Sequence, residues 1–198
     1  MESVAPLIPP PAARLAAAIG RQLAAAPAPA SGTSGRLAAV LIVLYDIAAE
    51  PHFLLTKRTD DLEHHPGQIA LPGGRFDDDD VELETTALRE THEELGIDPD
   101  SIQVLGRMGD VFTAASGFVV SPFVGIVAEP PEPVPAEREI AQVLEVPLGA
   151  LLAADAALPR DPDIATLRYP LLGEDVWGAT ARILRSFSAV VRAAARGG

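Results

Sequence analysis

From Gly73 to Ile97 the chain reads GGRFDDDDVELETTALRETHEELGI: a paired-glycine turn, an acidic lead-in, then a helix-period segment that carries Glu90, Glu93 and Glu94. Asp79 with Glu82 three residues later predicts the helix start through a capping box, and Gly96 followed by Pro99 predicts its end. At about 100° per residue, with Glu90 at zero, Glu93 lies at about 300° and Glu94 at about 40°. The three carboxylates share one exposed arc. Ala87, Leu88, Thr91 and Leu95 fall beside it and form the buried stripe. Like charges three and four residues apart oppose helix formation by roughly 0.2–0.5 kcal/mol per pair, and the helix dipole disfavours anions in the C-terminal half. Arg89 can pair with Glu93 at i,i+4, but one guanidinium does not neutralise three carboxylates. A hard divalent cation, Mg²⁺ or Mn²⁺, is the natural remaining partner.

The spacing carries a second message. Gly74, Arg89, Glu90, Glu93, Glu94, Gly96 and Ile97 resemble the Nudix box, the loop and helix that bind metal ions for pyrophosphate hydrolysis. Three positions depart from the family pattern. Asp80 stands where a glutamate is usual, the gap from there to Arg89 is one residue longer, and Thr91 replaces an aliphatic residue. The resemblance implies Glu90, Glu93 and Glu94 as metal ligands, with Glu93 also a candidate base and Arg89 as its orienting partner. The run Asp77 to Asp80 lacks the alternating acids and glycine of an EF-hand loop and reads as helix-capping and outer charge.

Upstream, LLTKRTDDLEHHPGQIALPGG (Leu54 to Gly74) carries Arg58, Leu62, His65, Gly67, Gln68 and Pro72, which resemble the signature of the coenzyme A pyrophosphatase branch of that family. The similarity runs on through Thr113 to Gly125, Glu145 to Leu152 and Trp177 to Leu184. It implies cleavage of coenzyme A or an acyl-CoA to 3',5'-ADP and (acyl-)4'-phosphopantetheine. The residues expected to meet such a ligand are Arg58, His65, Gly67, Gln68, Gly73 and Gly74. Arg58 offers a fork that suits phosphate oxygens, and the glycines admit positive φ and close approach of a ligand. Lys57 should point to the opposite face of its strand. His64 reads as an exposed loop residue, and Trp177, Phe118 and Phe123 read as core or interface. The alternatives are a Nudix hydrolase of another nucleoside diphosphate derivative, such as ADP-ribose or a dinucleotide, and a catalytically silent nucleotide-sensing domain.

The remaining elements follow from periodicity. LAAVLIVLYD (Leu37 to Asp46) and HFLLTKR (His52 to Arg58) read as a strand hairpin, followed by strands at Gln68 to Leu71, Ile102 to Thr113, Val119 to Val127 and Val143 to Val146. Leu148 to Ala153 reads as a helical turn and Trp177 to Ala195 as an amphipathic closing helix. This order suits an α/β chain with a mixed β-sheet between helices, and the resemblance implies the Nudix-type α/β/α sandwich. Residues 1–36 are expected to divide into a helix from about Ala12 to Ala26 and an Ala/Pro/Gly/Ser linker, and the resemblance implies that residues 37–198 form a Nudix-like hydrolase domain. Leu15, Ile19 and Leu23 give that first helix an apolar stripe, which should pack on the domain or, in a homodimer, on a second copy.

With 198 residues and 48% hydrophobic composition the chain can bury one core. A net charge of −13 argues against nucleic-acid or anionic-membrane partners. A polyanionic substrate must therefore meet local cations or bound metal. The absence of cysteine excludes disulfides and thiol chemistry, and with no apolar run of membrane length or basic leader the expected compartment is the cytoplasm.

Overall fold

The computed structural model describes residues 11–25, 35–62, 65–114, 116–159 and 162–196. His64 and most of the expected linker lie outside the described residues. In chain order the elements are α1 (Pro11–Ala24), β1 (Arg36–Ile47), β2 (Glu50–Arg58), β3 (Ile69–Ala70), β4 (Gly73–Arg75), α2 (Leu83–Leu95), β5 (Ile102–Arg107), β6 (Val111–Thr113), β7 (Phe118–Val127), β8 (Ile140–Pro147), α3 (Leu148–Ala157), β9 (Arg168–Leu171), β10 (Glu174–Trp177) and α4 (Gly178–Arg196).

The long apolar run of β1 becomes the centre of a mixed sheet. It pairs parallel with β7 and antiparallel with β2 and β4, and β5 forms an outer strand beyond β7. Because side chains alternate across a strand, β1 supplies two cores at once. Ile42 and Leu44 face a core shared with α1, α3 and α4, while Leu41, Val43 and Tyr45 face the core under α2. Helices therefore cover both faces, the expected α/β sandwich.

The β1–β2 hairpin closes through Ala48 and Ala49, both with positive φ, as a two-residue loop on a right-twisted ribbon requires. The expected strand from Ile102 to Thr113 is two strands, β5 and β6, because the chain turns at Met108–Asp110. The helical turn at Leu148 extends to Ala157. The hairpin β9–β10 was not expected. It turns at Leu172–Gly173, again with two positive φ angles, and Trp177 ends β10 instead of opening the last helix.

Helix α1 buries Ile19 and Leu23 against α4 and β5 of the same chain, so the domain covers its stripe. Its opening is capped from a distance, where both Asp46 oxygens accept the Ala12 N–H at 3.1 Å.

Candidate active site

Strand β4 and helix α2 meet at the paired glycines. Gly73 has φ 145°, and a Cβ there would lie 2.3 Å from the Ala39 carbonyl oxygen, so only glycine lets β4 press on β1. At Gly74 a Cβ would lie 2.4 Å from the Glu90 carboxyl carbon. The missing side chain is the space that the carboxylate fills. Beside it, the Gly73 N–H donates to Glu94 Oε2 at 3.2 Å.

The capping box expected at Asp79 and Glu82 does not form. Helix α2 begins one residue after Glu82, which makes no side-chain cap, and it is Asp80 that is drawn inward. Asp80 accepts the Asp77 N–H at 3.0 Å, the Thr86 hydroxyl at 2.8 Å and two N–H groups of Arg89. The helix end is as expected: Gly96 has φ 67° and donates to the His92 carbonyl at 2.7 Å.

Arg89 uses all the N–H donors that a guanidinium owns. Nε and Nη2 hold Asp80, Nη2 also donates to the Arg75 carbonyl at 3.1 Å, and Nη1 bridges Glu90 at 3.0 Å and Glu93 at 3.1 Å. Arg89 therefore joins the helix to β4 and fixes two of the three expected ligand carboxylates. Thr91 sits at a buried position by donating its hydroxyl to the Ala87 carbonyl at 2.7 Å.

The three glutamates are not equivalent. Glu94 is buried, at 6% exposure, which corrects the expectation that it lies on an exposed arc. Burial pushes its carboxyl up to about 7, the charges of Glu90 and Glu139 add to the rise, and the Gly73 N–H and Arg58 oppose it. Burial also raises Glu90, against the pull of Arg89. The Glu93 side chain is 56% exposed. Glu139, just before β8, faces both Glu90 and Glu94 electrostatically. Nothing in its sequence spacing marked it.

Among the described residues, no three acidic, histidine or cysteine side chains already converge as a closed cage. The donor set nevertheless suits a hard divalent cation. Glu90, Glu93 and Glu94 offer only oxygen donors, and burial makes the charged forms of Glu90 and Glu94 costly, a cost that a bound cation would relieve.

A cavity of about 820 Å³ opens on the other side of the glycines. Arg58, His65, Gln68, Gly73 and Gly74 all line it, so five of the six residues expected to meet a ligand come together. Gly67 does not. It turns the loop at φ 65°, where a Cβ would lie 2.8 Å from Asp60 Oδ1. Arg58 has a buried Nε without a partner among the described residues, whereas Lys57 is paired with Glu174 at 2.7 Å. Trp177 is not a core residue, and Phe118 packs half-buried against the core. Both line the cavity, and Trp177 is 43% exposed; only Phe123 is buried as expected.

The comparisons agree with this geometry. A family profile for the NUDIX domain matches residues 35–167. The chain is 37% identical over 158 residues to a protein of Pectobacterium atrosepticum described as an uncharacterized Nudix hydrolase, NudL, which covers 77% of this chain and 81% of that one. A protein of Yersinia pestis with the same description is 36% identical over 160 residues, covering 77% and 78%. Among solved structures, a Nudix hydrolase of Alicyclobacillus acidocaldarius matches with a TM-score of 0.57 at 22% identity, over 80% of this chain and 93% of that one. The Nudix domain of Shewanella oneidensis NrtR, solved with ADP ribose, matches with a TM-score of 0.55 at 18% identity, over 87% and 97%. These two structures share the fold. The chain belongs to the Nudix family. It is a pyrophosphohydrolase that acts on a nucleoside diphosphate derivative, within a family that generally uses divalent metals such as Mg²⁺. None of the described helices is long and apolar enough to cross a membrane.

Proposed function

We propose that this hydrolase cleaves the diphosphate of coenzyme A or of an acyl-CoA, with Mg²⁺ or Mn²⁺, to 3',5'-ADP and (acyl-)4'-phosphopantetheine. One observation carries the reading. Arg58, His65 and Gln68, which resemble the branch signature, line the same cavity as Gly73 and Gly74, and Glu90 and Glu94 stand directly behind those glycines. The volume of about 820 Å³ and the mostly apolar wall suit a nucleotide with a long organic arm.

In this reading Glu90, Glu93 and Glu94 hold the divalent cation, which when bound lowers the pKa of a water and offsets charge on the diphosphate oxygens. Arg89 keeps Glu90 and Glu93 in place through Nη1. Arg58, whose Nε has no partner among the described residues, presents its guanidinium to a phosphate oxygen. Glu93 has the most exposed carboxylate and its Oε1 free of Arg89; it accepts the proton of the attacking water. Gln68 reads a polar group of the substrate from the cavity wall.

The test incubates the pure protein and Mg²⁺ or Mn²⁺ with CoA, an acyl-CoA, ADP-ribose and NADH in parallel and separates the products by chromatography. Phosphopantetheine from CoA at the highest kcat/KM is the expected result. Turnover of ADP-ribose or NADH without phosphopantetheine from CoA overturns the substrate.

A further inference from the structure

The last helix carries a cluster of charge that the hydrolytic site does not use. Arg185, Ala189, Arg192 and Arg196 recur at i, i+4, i+7 and i+11, so they share one face of α4. With Asp155 near the end of α3, they line a cavity of about 560 Å³. Among the described residues none lines both this cavity and the one at Gly73 and Gly74. The two are separate sites on one helix: residues up to Ile183 face the first, and residues from Arg185 onward face the second.

Asp155 orders the arginines without neutralising them. It is buried, and its Oδ1 accepts the Tyr169 hydroxyl at 2.6 Å and Arg185 Nη1 at 2.7 Å. Its Oδ2 accepts Arg192 Nη2 at 2.8 Å, and the same Nη2 donates to the Leu152 carbonyl at 3.0 Å. Both carboxylate oxygens are therefore occupied. Arg185 and Arg192 each meet the acid through a single nitrogen of a guanidinium that owns five N–H donors, and their side chains remain 35% and 37% exposed. Arg196 is exposed and forms no ion pair among the described residues. Three guanidinium groups thus stand against one carboxylate in a chain of net charge −13. Gathering like charges costs free energy that an anion would offset.

The geometry points to a binding site for a dianionic phosphate group, free or esterified to a small molecule, held by Arg185, Arg192 and Arg196. Two charges and three acceptor oxygens match the excess of positive charge and the forked donors, whereas a carboxylate brings one charge and two oxygens. Leu158 and Pro159 add an apolar edge on which the body of a phosphate ester can rest. The inference is independent of the coenzyme A reading, since neither the metal ligands nor the substrate cavity enters it.

Calorimetric titration of the full chain without metal, at constant ionic strength, tests it with inorganic phosphate, glycerol 3-phosphate and acetate. Both phosphates should bind saturably, and the tighter of the two names the source of the group. Binding should survive Arg58→Gln, whose guanidinium belongs to the other cavity, and should weaken at least about tenfold in Arg185→Gln and in Arg196→Gln, each of which loses a charge-assisted hydrogen bond. Melting curves verify that each variant is folded. Should Arg185→Gln fail to fold because buried Asp155 loses a partner, the exposed Arg196→Gln decides. The site is overturned by the absence of saturable phosphate binding, by its loss in folded Arg58→Gln, by equal affinity for acetate, or by undiminished affinity in folded Arg196→Gln.

Discussion

Asp80 grips Arg89 with both carboxylate oxygens, Oδ1 taking Nε at 3.0 Å and Oδ2 taking Nη2 at 2.9 Å. The aspartate that departs from the usual box is thus the anchor of the arginine that positions Glu90 and Glu93. Asp80 is buried, and the Arg89 guanidinium holds its carboxyl well below the usual range. Asp80→Asn should lower stability by roughly 1–3 kcal/mol, because it removes the charge of one of the three carboxylates that hold the guanidinium and weakens the bidentate grip on Nε and Nη2. Turnover should fall at least about tenfold as Arg89 loses its bearing. Urea unfolding and steady-state kinetics measure the two effects; a variant with normal stability and rate shows that Arg89 needs no such anchor.

Glu94→Gln should fold and fail. The amide oxygen can still accept the Gly73 N–H, and the change removes a buried charge. The metal-free variant should therefore be more stable than the parent at pH 8, by up to roughly 3 kcal/mol from the raised carboxyl. Turnover should drop by at least about a hundredfold with the lost ligand oxygen. Near-normal activity removes Glu94 from the ligand set.

The same groups set an unusual pH profile. In the folded protein Glu94 holds its proton up to about 7, whereas the unfolded chain releases it near the ordinary 4.5. Between those values the folded state binds more protons, so metal-free stability falls as pH rises. Asp80 acts in the opposite sense: its stabilisation is present above the ordinary 3.8 and is lost on acidification below it. The metal-free Tm should rise from pH 8 to about pH 5 and then decline. Mg²⁺ or Mn²⁺ should raise Tm more at pH 8 than at pH 5.5, since the carboxylates must be deprotonated to bind it. A metal-free Tm that is higher at pH 8 than at pH 5.5 contradicts the assignment.

The two glycines should respond differently to alanine. At Gly73 the added carbon meets the backbone of Ala39 and Val40, 2.3 Å and 2.5 Å away, and φ is 145°, so Gly73→Ala should give little folded protein. At Gly74 it meets only the end of the Glu90 side chain, which can swing aside. Gly74→Ala should fold with Tm near normal while metal affinity falls by about tenfold or more. Calorimetric titration with Mn²⁺ reads the difference, and unchanged affinity would dissociate Glu90 from the metal.

Gln68 lines the cavity without a side-chain partner among the described residues. Gln68→Ala should alter the ranking of CoA, acyl-CoA and ADP-ribose by kcat/KM while leaving Mn²⁺ affinity alone. A uniform loss on every substrate would assign it to the loop fold instead.

The sheet and the acidic arc were legible because each has a strong period. Leu37 to Asp46 is apolar on both faces, which only a central strand under two layers of helix can use, and Glu90, Glu93 and Glu94 repeat at helical spacing. Asp80 was hidden because its bonds run to Arg89, Thr86 and Asp77, a closure that no capping pattern describes. Glu139 was hidden because it arrives just before β8, where its carbonyl accepts the Thr59 N–H, far from α2 in sequence. Trp177 was misread because the periodicity of α4 extends backward by one residue, whereas the alternation of Tyr169, Leu171 and Val176, all buried, belongs to a hairpin.

Helix α1 sits outside the span of the NUDIX match, yet its cap is an acid of β1, and its Leu23 packs on Gly106 with room for no extra carbon: a Cβ there would come within 3.0 Å. Trimming the chain to the matched domain would strip the lid from an apolar sheet face and leave Asp46 with no helix to hold. The boundary drawn by kinship and the boundary drawn by solvent are different lines, and an expression fragment cut at the first would be expected to aggregate where one cut at the second would not.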